Sequence, residues 1–152
     1  MHRTIISDTS CFIILNKIGE LEILRKSYGQ IMTTIDIAIE YGEALPDWVE
    51  IGIVTDIYRQ RILEMQIDKG ESSAIALALE TPNSTVILDD YKARKIAEKL
   101  GINLTGTIGV IIKAKLKGII PSIKPFLEKI KSTDFRLSKE IEQQALKEAN
   151  EL

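Results

Sequence analysis

The acidic residues Asp8, Glu40, Glu71 and the adjacent pair Asp89 and Asp90 occupy the positions in this chain best suited to chemistry. In Thr4-Ile5-Ile6-Ser7-Asp8-Thr9-Ser10 an apolar, strand-forming run stops at a carboxylate, and a small hydroxyl residue follows two positions later. The run Ser84–Leu88 (STVIL) ends the same way, on Asp89 and Asp90. Ligands bind at the carboxyl ends of strands in open α/β sheets, so neighbouring strands of this kind would bring these aspartates to one rim. Carboxylates gathered without histidine, cysteine or lysine repel one another, and they must take up protons, disperse or share a cation. Their hard oxygens suit Mg²⁺ or Mn²⁺. Such an ion orients an attacking water, lowers its pKa and neutralises charge on a phosphodiester. Plainer readings stand beside this one. Asp8 or Ser10 can cap the following helix, and Glu71 suits the positive end of its own helix. Glu40 lacks that excuse, because it falls near a helix C-terminus, where a negative charge is unfavourable.

The elements that would position these residues follow from periodicity. Cys11–Lys17 and Glu20–Ser27 read as amphipathic helices, and Gln30–Thr33 as a short strand. Ile35–Tyr41 reads as a helix capped by Thr33 or Thr34 and carrying Glu40. Trp48–Thr55 is a minor strand or extended connector, and Asp56–Gln66 a helix. After Asp68-Lys69-Gly70-Glu71 comes Ser72–Glu80, a run apolar nearly all round and therefore a buried helix. Tyr91–Leu100 is amphipathic, Ile102–Leu104 is a strand, and residues 108–117 form a helix with Thr107 as the expected cap. Helices at Ser122–Lys131 and Ser138–Glu151 complete the chain. Short strands alternating with helices predict an α/β fold, a central, mainly parallel sheet with helices on both faces.

Composition bounds the function. A chain of 152 residues, 45% hydrophobic and 28% charged, suits one globular domain. The charge, 20 basic against 22 acidic residues, argues against a protein that coats nucleic acid through a general basic surplus. The lone Cys11 forms no internal disulfide and has no base partner, so it reads as buried filler. The single histidine, His2, excludes mechanisms that need two and reads as an exposed terminal residue. No signal peptide or membrane span is expected, and a reducing cytoplasm fits.

Taken in order, IISDTS, the acidic residue late in IDIAIEYG, GESSAIALALE and VILDDYKARKIAEKLGI resemble the PIN-domain family. The chain is most similar to the branch with GEAxAIALA, a DDxxAR element and GTxGV, here Asp89-Asp90-Tyr91-Lys92-Ala93-Arg94 and Gly106-Thr107-Ile108-Gly109-Val110. The resemblance runs from about Thr4 to about Gly118, and LPDWVEI after Glu40 also looks like this branch. It implies a three-layer α/β/α sandwich spanning residues 1–152, with about 119–152 as a helical extension. It also implies an acidic cluster that binds Mg²⁺ or Mn²⁺ and cuts single-stranded RNA, a homodimer, and for many members an antitoxin partner. By position, Asp8, Glu40 and Glu71 match the family's first three acidic sites. Asp90 matches the fourth slightly better than Asp89, which is the first residue past the strand, and Ser10 matches the small hydroxyl residue beside the first aspartate. The chain departs from the branch in having Thr33-Thr34 where a proline is common. It has Glu71 where PIN toxins typically have aspartate.

Lys92 and Arg94 are candidates to contact RNA phosphates, against the alternative of an Asp90–Arg94 surface pair. Lys113, Lys115 and Lys117 read as a solvated helix edge, and Trp48 as a packing or interface residue. The leading expectation is a metal-dependent endoribonuclease. A catalytically silent PIN-fold interaction module is the alternative. A phosphatase is a weaker third reading, because Asp8 is followed by Thr9-Ser10-Cys11 rather than a DxDxT-type nucleophile motif.

Overall fold

The computed structural model describes residues 3–152, so His2 lies outside the described residues. The elements run β1 (Thr4–Ser7), α1 (Thr9–Lys17), α2 (Glu22–Tyr28), β2 (Ile31–Thr34), α3 (Ile35–Tyr41), β3 (Val49–Gly52) and α4 (Ile57–Leu63). They continue with α5 (Lys69–Leu79), β4 (Ser84–Ile87), α6 (Tyr91–Lys99), β5 (Asn103–Thr105), α7 (Thr107–Leu116), α8 (Lys124–Lys131) and α9 (Lys139–Glu148). The sheet is parallel throughout, in the order β3-β2-β1-β4-β5. From β1 the chain first builds outward through β2 and β3, then returns to lay β4 and β5 on the other side. The order therefore reverses between β1 and β4, and the carboxyl ends of that pair mark the crevice where such sheets bind ligands. Register runs from Thr4 opposite Ser84 to Ser7 opposite Ile87, so the two strands end level.

Helix α5 lies across β1, β2 and β4 with α4 and α6 beside it, while α1 and α2 pack with α7 as a second group. This is the expected α/β sandwich. Its core is drawn from both layers and the sheet, with Ile6, Phe12, Leu24, Ile75, Ile87 and Ile111 fully buried. Cys11 is buried too, and burial is the largest influence pushing its thiol pKa up. Trp48 is half-buried against the core. The ambiguous Trp48–Thr55 stretch resolves into β3, which forms one edge of the sheet.

Several boundaries move for one reason, that carboxylates cap helices two or three residues earlier than the apolar pattern begins. Asp8 accepts from the Cys11 N–H and starts α1 at Thr9. Thr34, not Thr33, caps α3, and Asp68 starts α5 at Lys69. Thr107 is not a cap, because Gly106 occupies that position and Thr107 is the first residue of α7. Lys113 and Lys117 are exposed as expected of a solvated edge, but Lys115 is not. The Lys115 ammonium donates to the Ala149 carbonyl at 2.7 Å and faces Glu151 at 3.3 Å, while Lys117 donates to the Ser27 carbonyl at 3.0 Å.

Candidate active site

Asp8 sits one residue beyond β1, only 3% exposed, with both carboxylate oxygens engaged. Oδ1 accepts the Cys11 N–H at 3.0 Å and Oδ2 accepts the Asp89 N–H at 3.1 Å. The helix-capping reading and the rim reading are thus both true of the same side chain. Burial pushes its pKa well above 3.8, and the Asp89 charge adds to that rise, while the two N–H groups oppose it. An ionised Asp8 is costly here.

Asp89 and Asp90 divide into different tasks. Asp89 turns to α7, whose capping glycine has no side chain, and accepts the Thr107 N–H at 2.8 Å and the Thr107 hydroxyl at 2.5 Å. Gly106 permits this close approach, since a Cβ there would stand 2.9 Å from Asp89 Oδ1. Asp90 is exposed and caps α6, accepting the Ala93 N–H at 2.9 Å.

Glu71 lies in the first turn of α5, half-buried, with Asp68 capping its N–H at 2.8 Å. Desolvation, followed by the charges of Asp68 and Asp90, raises the Glu71 pKa to about 7. Glu40 sits near the end of α3 and accepts the Thr9 hydroxyl. It also rests against the α-carbon of Gly70, where a Cβ would come within 2.6 Å of Oε1. The unfavourable placement at the C-terminus of α3 is therefore answered by contacts from β1–α1 and α5.

These residues line one cleft of about 430 Å³, which contains Asp8, Ser10, Glu40, Glu71, Asp89 and Asp90, all nominated from sequence, together with Asp68. Lys92 and Arg94 are not on it. Lys92 is exposed on α6, and Arg94 forms no ion pair with Asp90 but donates to the Leu88 carbonyl at 2.7 Å. Sequence reasoning missed Asp68, Thr9 and Gly70. Asp68 was findable, because Asp68-x-x-Glu71 has the spacing of a capping box. Thr9 and Gly70 matter through contacts made across the fold.

The donor chemistry of the cleft, all oxygen and predominantly carboxylate, fits a hard divalent cation. Asp8, Asp89 and Asp90 as placed accept helix-capping N–H groups, and among the described residues no group of three carboxylates is gathered tightly enough to grip one ion.

A family model described as a PIN domain matches residues 4–151. No curated protein and no solved structure matches the chain.

Proposed function

The chain belongs to the PIN-domain family, a nuclease fold, and on that premise we propose that it is a metal-dependent endoribonuclease acting on single-stranded RNA. The observation that carries this reading is the convergence of Asp8, Glu40, Glu71, Asp89 and Asp90 on one cleft at the reversal point of the sheet. Burial, with neighbouring carboxylates adding to it, raises the pKa of Asp8 and Glu71, an electrostatic cost of gathering acids in a half-buried cleft. A bound cation relieves it.

In this reading Asp8 and Asp89 would hold Mg²⁺ or Mn²⁺, with Glu71 and Asp90 as further ligands. When bound, the ion supplies an acidified water and charge neutralisation at the phosphodiester. Glu40, in contact with Thr9 and Gly70, would accept a proton from the attacking water, and Ser10 would donate to the substrate. The test is cleavage of a fluorescent single-stranded RNA with Mn²⁺, with EDTA, and by the Asp8→Asn protein. Metal-dependent cutting absent from the variant supports the reading, and cutting that persists in the variant rejects it.

One observation favours the silent-module alternative: the helix caps already occupy Asp8, Asp89 and Asp90. Calorimetry separates the two, since a silent module shows no Mg²⁺ or Mn²⁺ binding that depends on Asp8.

We also propose a homodimer formed through the β3 edge. Ile35, Ile39, Ile53, Tyr58, Ile62 and Met65 are between 57% and 83% exposed on α3, α4 and the segments beside them. Ile35, Ile53 and Ile57 line a common groove of about 320 Å³. Apolar residues concentrated in this way mark an interaction surface. Sedimentation of the wild type against Ile39→Glu/Ile62→Glu tests it, with a monomeric double variant as the supporting result.

A further inference from the structure

Helix α6 leaves the wall of the acidic cleft directly, because its capping residue Asp90 is part of that wall. Its inward stripe, Ala93, Ile96 and Ala97, docks toward β5 and α5. The solvent side carries Lys92, Lys95 and Lys99, spaced three and four residues apart and so aligned along the helix over about 10 Å, with the exposed Glu98 beside them. Tyr91 stands at the head of this stripe, next to Asp90 in the chain, with 74% of its surface exposed. The Lys95 ammonium lies 5.3 Å from the centre of its ring.

Lys69, Lys115, Lys129 and Lys131 find carboxylates, whereas among the described residues Lys92, Lys95 and Lys99, like Lys26, Lys113, Lys124, Lys139 and Lys147, form no ion pair. In a chain of net charge −2, an unpaired basic stripe leading into an acidic cleft is a local inversion of the general charge. Arg94 is not part of it, being held on the Leu88 carbonyl. An exposed aromatic ring flanked by the Lys95 cation, with the exposed Lys92 and Lys99 on the same side of the helix, has the parts of a single-strand platform. The ring stacks a base, and the line of cations follows the phosphates. A polyanion also needs such cations to approach carboxylates at all.

Resting on the ribonuclease reading above, we infer that the outward face of α6 is the track for single-stranded RNA. One base stacks on Tyr91 beside the cleft, and the adjoining phosphates run along Lys92, Lys95 and Lys99. The contacts are to π-face and backbone, so the track binds without reading sequence.

The test compares three proteins in an Asp8→Asn background, which silences cutting: the parent, Tyr91→Ala, and Lys92→Gln/Lys95→Gln/Lys99→Gln. A fluorescein-labelled oligouridylate is the probe, and anisotropy is read with Mg²⁺ between about 50 and 200 mM salt. Tyr91→Ala is expected to bind about 10-fold more weakly, with Tyr91→Phe restoring affinity because stacking needs only the ring. The triple variant is expected to lower the slope of log affinity against log salt by about 2, since each single-strand phosphate contact contributes about 0.7. All substitutions are on exposed side chains, and far-ultraviolet circular dichroism verifies the fold. Affinities and slopes equal to the parent's overturn the track. If the protein with Asp8 intact still cuts RNA in a metal-dependent manner, the ribonuclease reading survives that result. A parent that binds no RNA, with an Asp8-intact protein that cuts none, overturns both.

Discussion

Two carboxylates in this molecule use the same hydrogen-bonding grammar and reach opposite electrostatic ends. Asp8 at the cleft and Glu151 at the C-terminal seam each accept backbone N–H groups from another element. Glu151 takes the Ile123 N–H at 2.8 Å and the hydroxyl of Ser122 at 2.5 Å, with Lys115 beside it. Burial pushes the Glu151 pKa up, but these donors and the lysine outweigh it and hold the carboxyl below its usual range. Around Asp8 burial meets another carboxylate instead of a cation, and the pKa rises. One site is complete within the protein. The other is a set of acceptors short of positive charge, which is the condition a cation-dependent site should present when considered alone.

The sharpest way to break this comparison is to neutralise each carboxylate and ask what is lost. Asp8→Asn should reduce metal-dependent RNA cleavage by more than the roughly 100-fold typical of lesions in residues that merely support a ligand, while urea unfolding shows no loss of stability. Glu151→Ala should do the reverse. It costs about 2 kcal/mol in urea unfolding through its lost charged hydrogen bonds, with cleavage per folded molecule unchanged. Gly70→Ala sharpens the comparison further, since the new Cβ must displace Glu40 from its seat. Cleavage should fall about 10-fold through kcat, while stability shifts by less than about 1 kcal/mol, the helix preference for alanine offsetting the crowding.

The smallest effect is in the pH dependence of melting without metal. The folded pKa of Glu151 is depressed, so its contribution is complete above about 4.5 and is lost as pH falls through the folded value. Asp8 has the opposite sign. Its folded pKa is raised, so the folded state holds the extra proton and stability declines as pH climbs from 3.8 toward the folded value. Thermal melts of Glu151→Ala should lose its share of the first slope, and those of Asp8→Asn should show a shallower second slope, the remainder belonging to Glu71 with its pKa of about 7.

The strands that build the rim were legible because a β-branched run ending on aspartate is a local pattern. Asp8, Asp89 and Asp90 therefore emerged from sequence, as did Glu71 beside its motif. Glu40 emerged from a misfit, a charge at the wrong end of a helix, and the structure supplies the contacts with Thr9 and Gly70 that the misfit demanded. The start of α5 was placed late because hydrophobic periodicity registers buried faces rather than caps. Arg94 illustrates what a sequence withholds. An Asp90–Arg94 pair is natural helix spacing, but the docking of α6 beside β5 offers the Leu88 carbonyl instead, a partner that exists only once the layers assemble. Lys115 was misread for the same reason, its partners Ala149 and Glu151 being supplied by the chain's last residues.

The position of β1 at the middle of the sheet has a consequence for synthesis. Its first residue, Thr4, pairs with Ser84, so the strand carrying Asp8 leaves the ribosome long before its neighbour β4 exists. At about 5–20 residues per second, that interval is roughly 4 to 16 s. Asp89 and Asp90 follow still later. A nascent chain therefore presents scattered carboxylates rather than a cleft, and any activity housed there switches on only after most of the protein has been made.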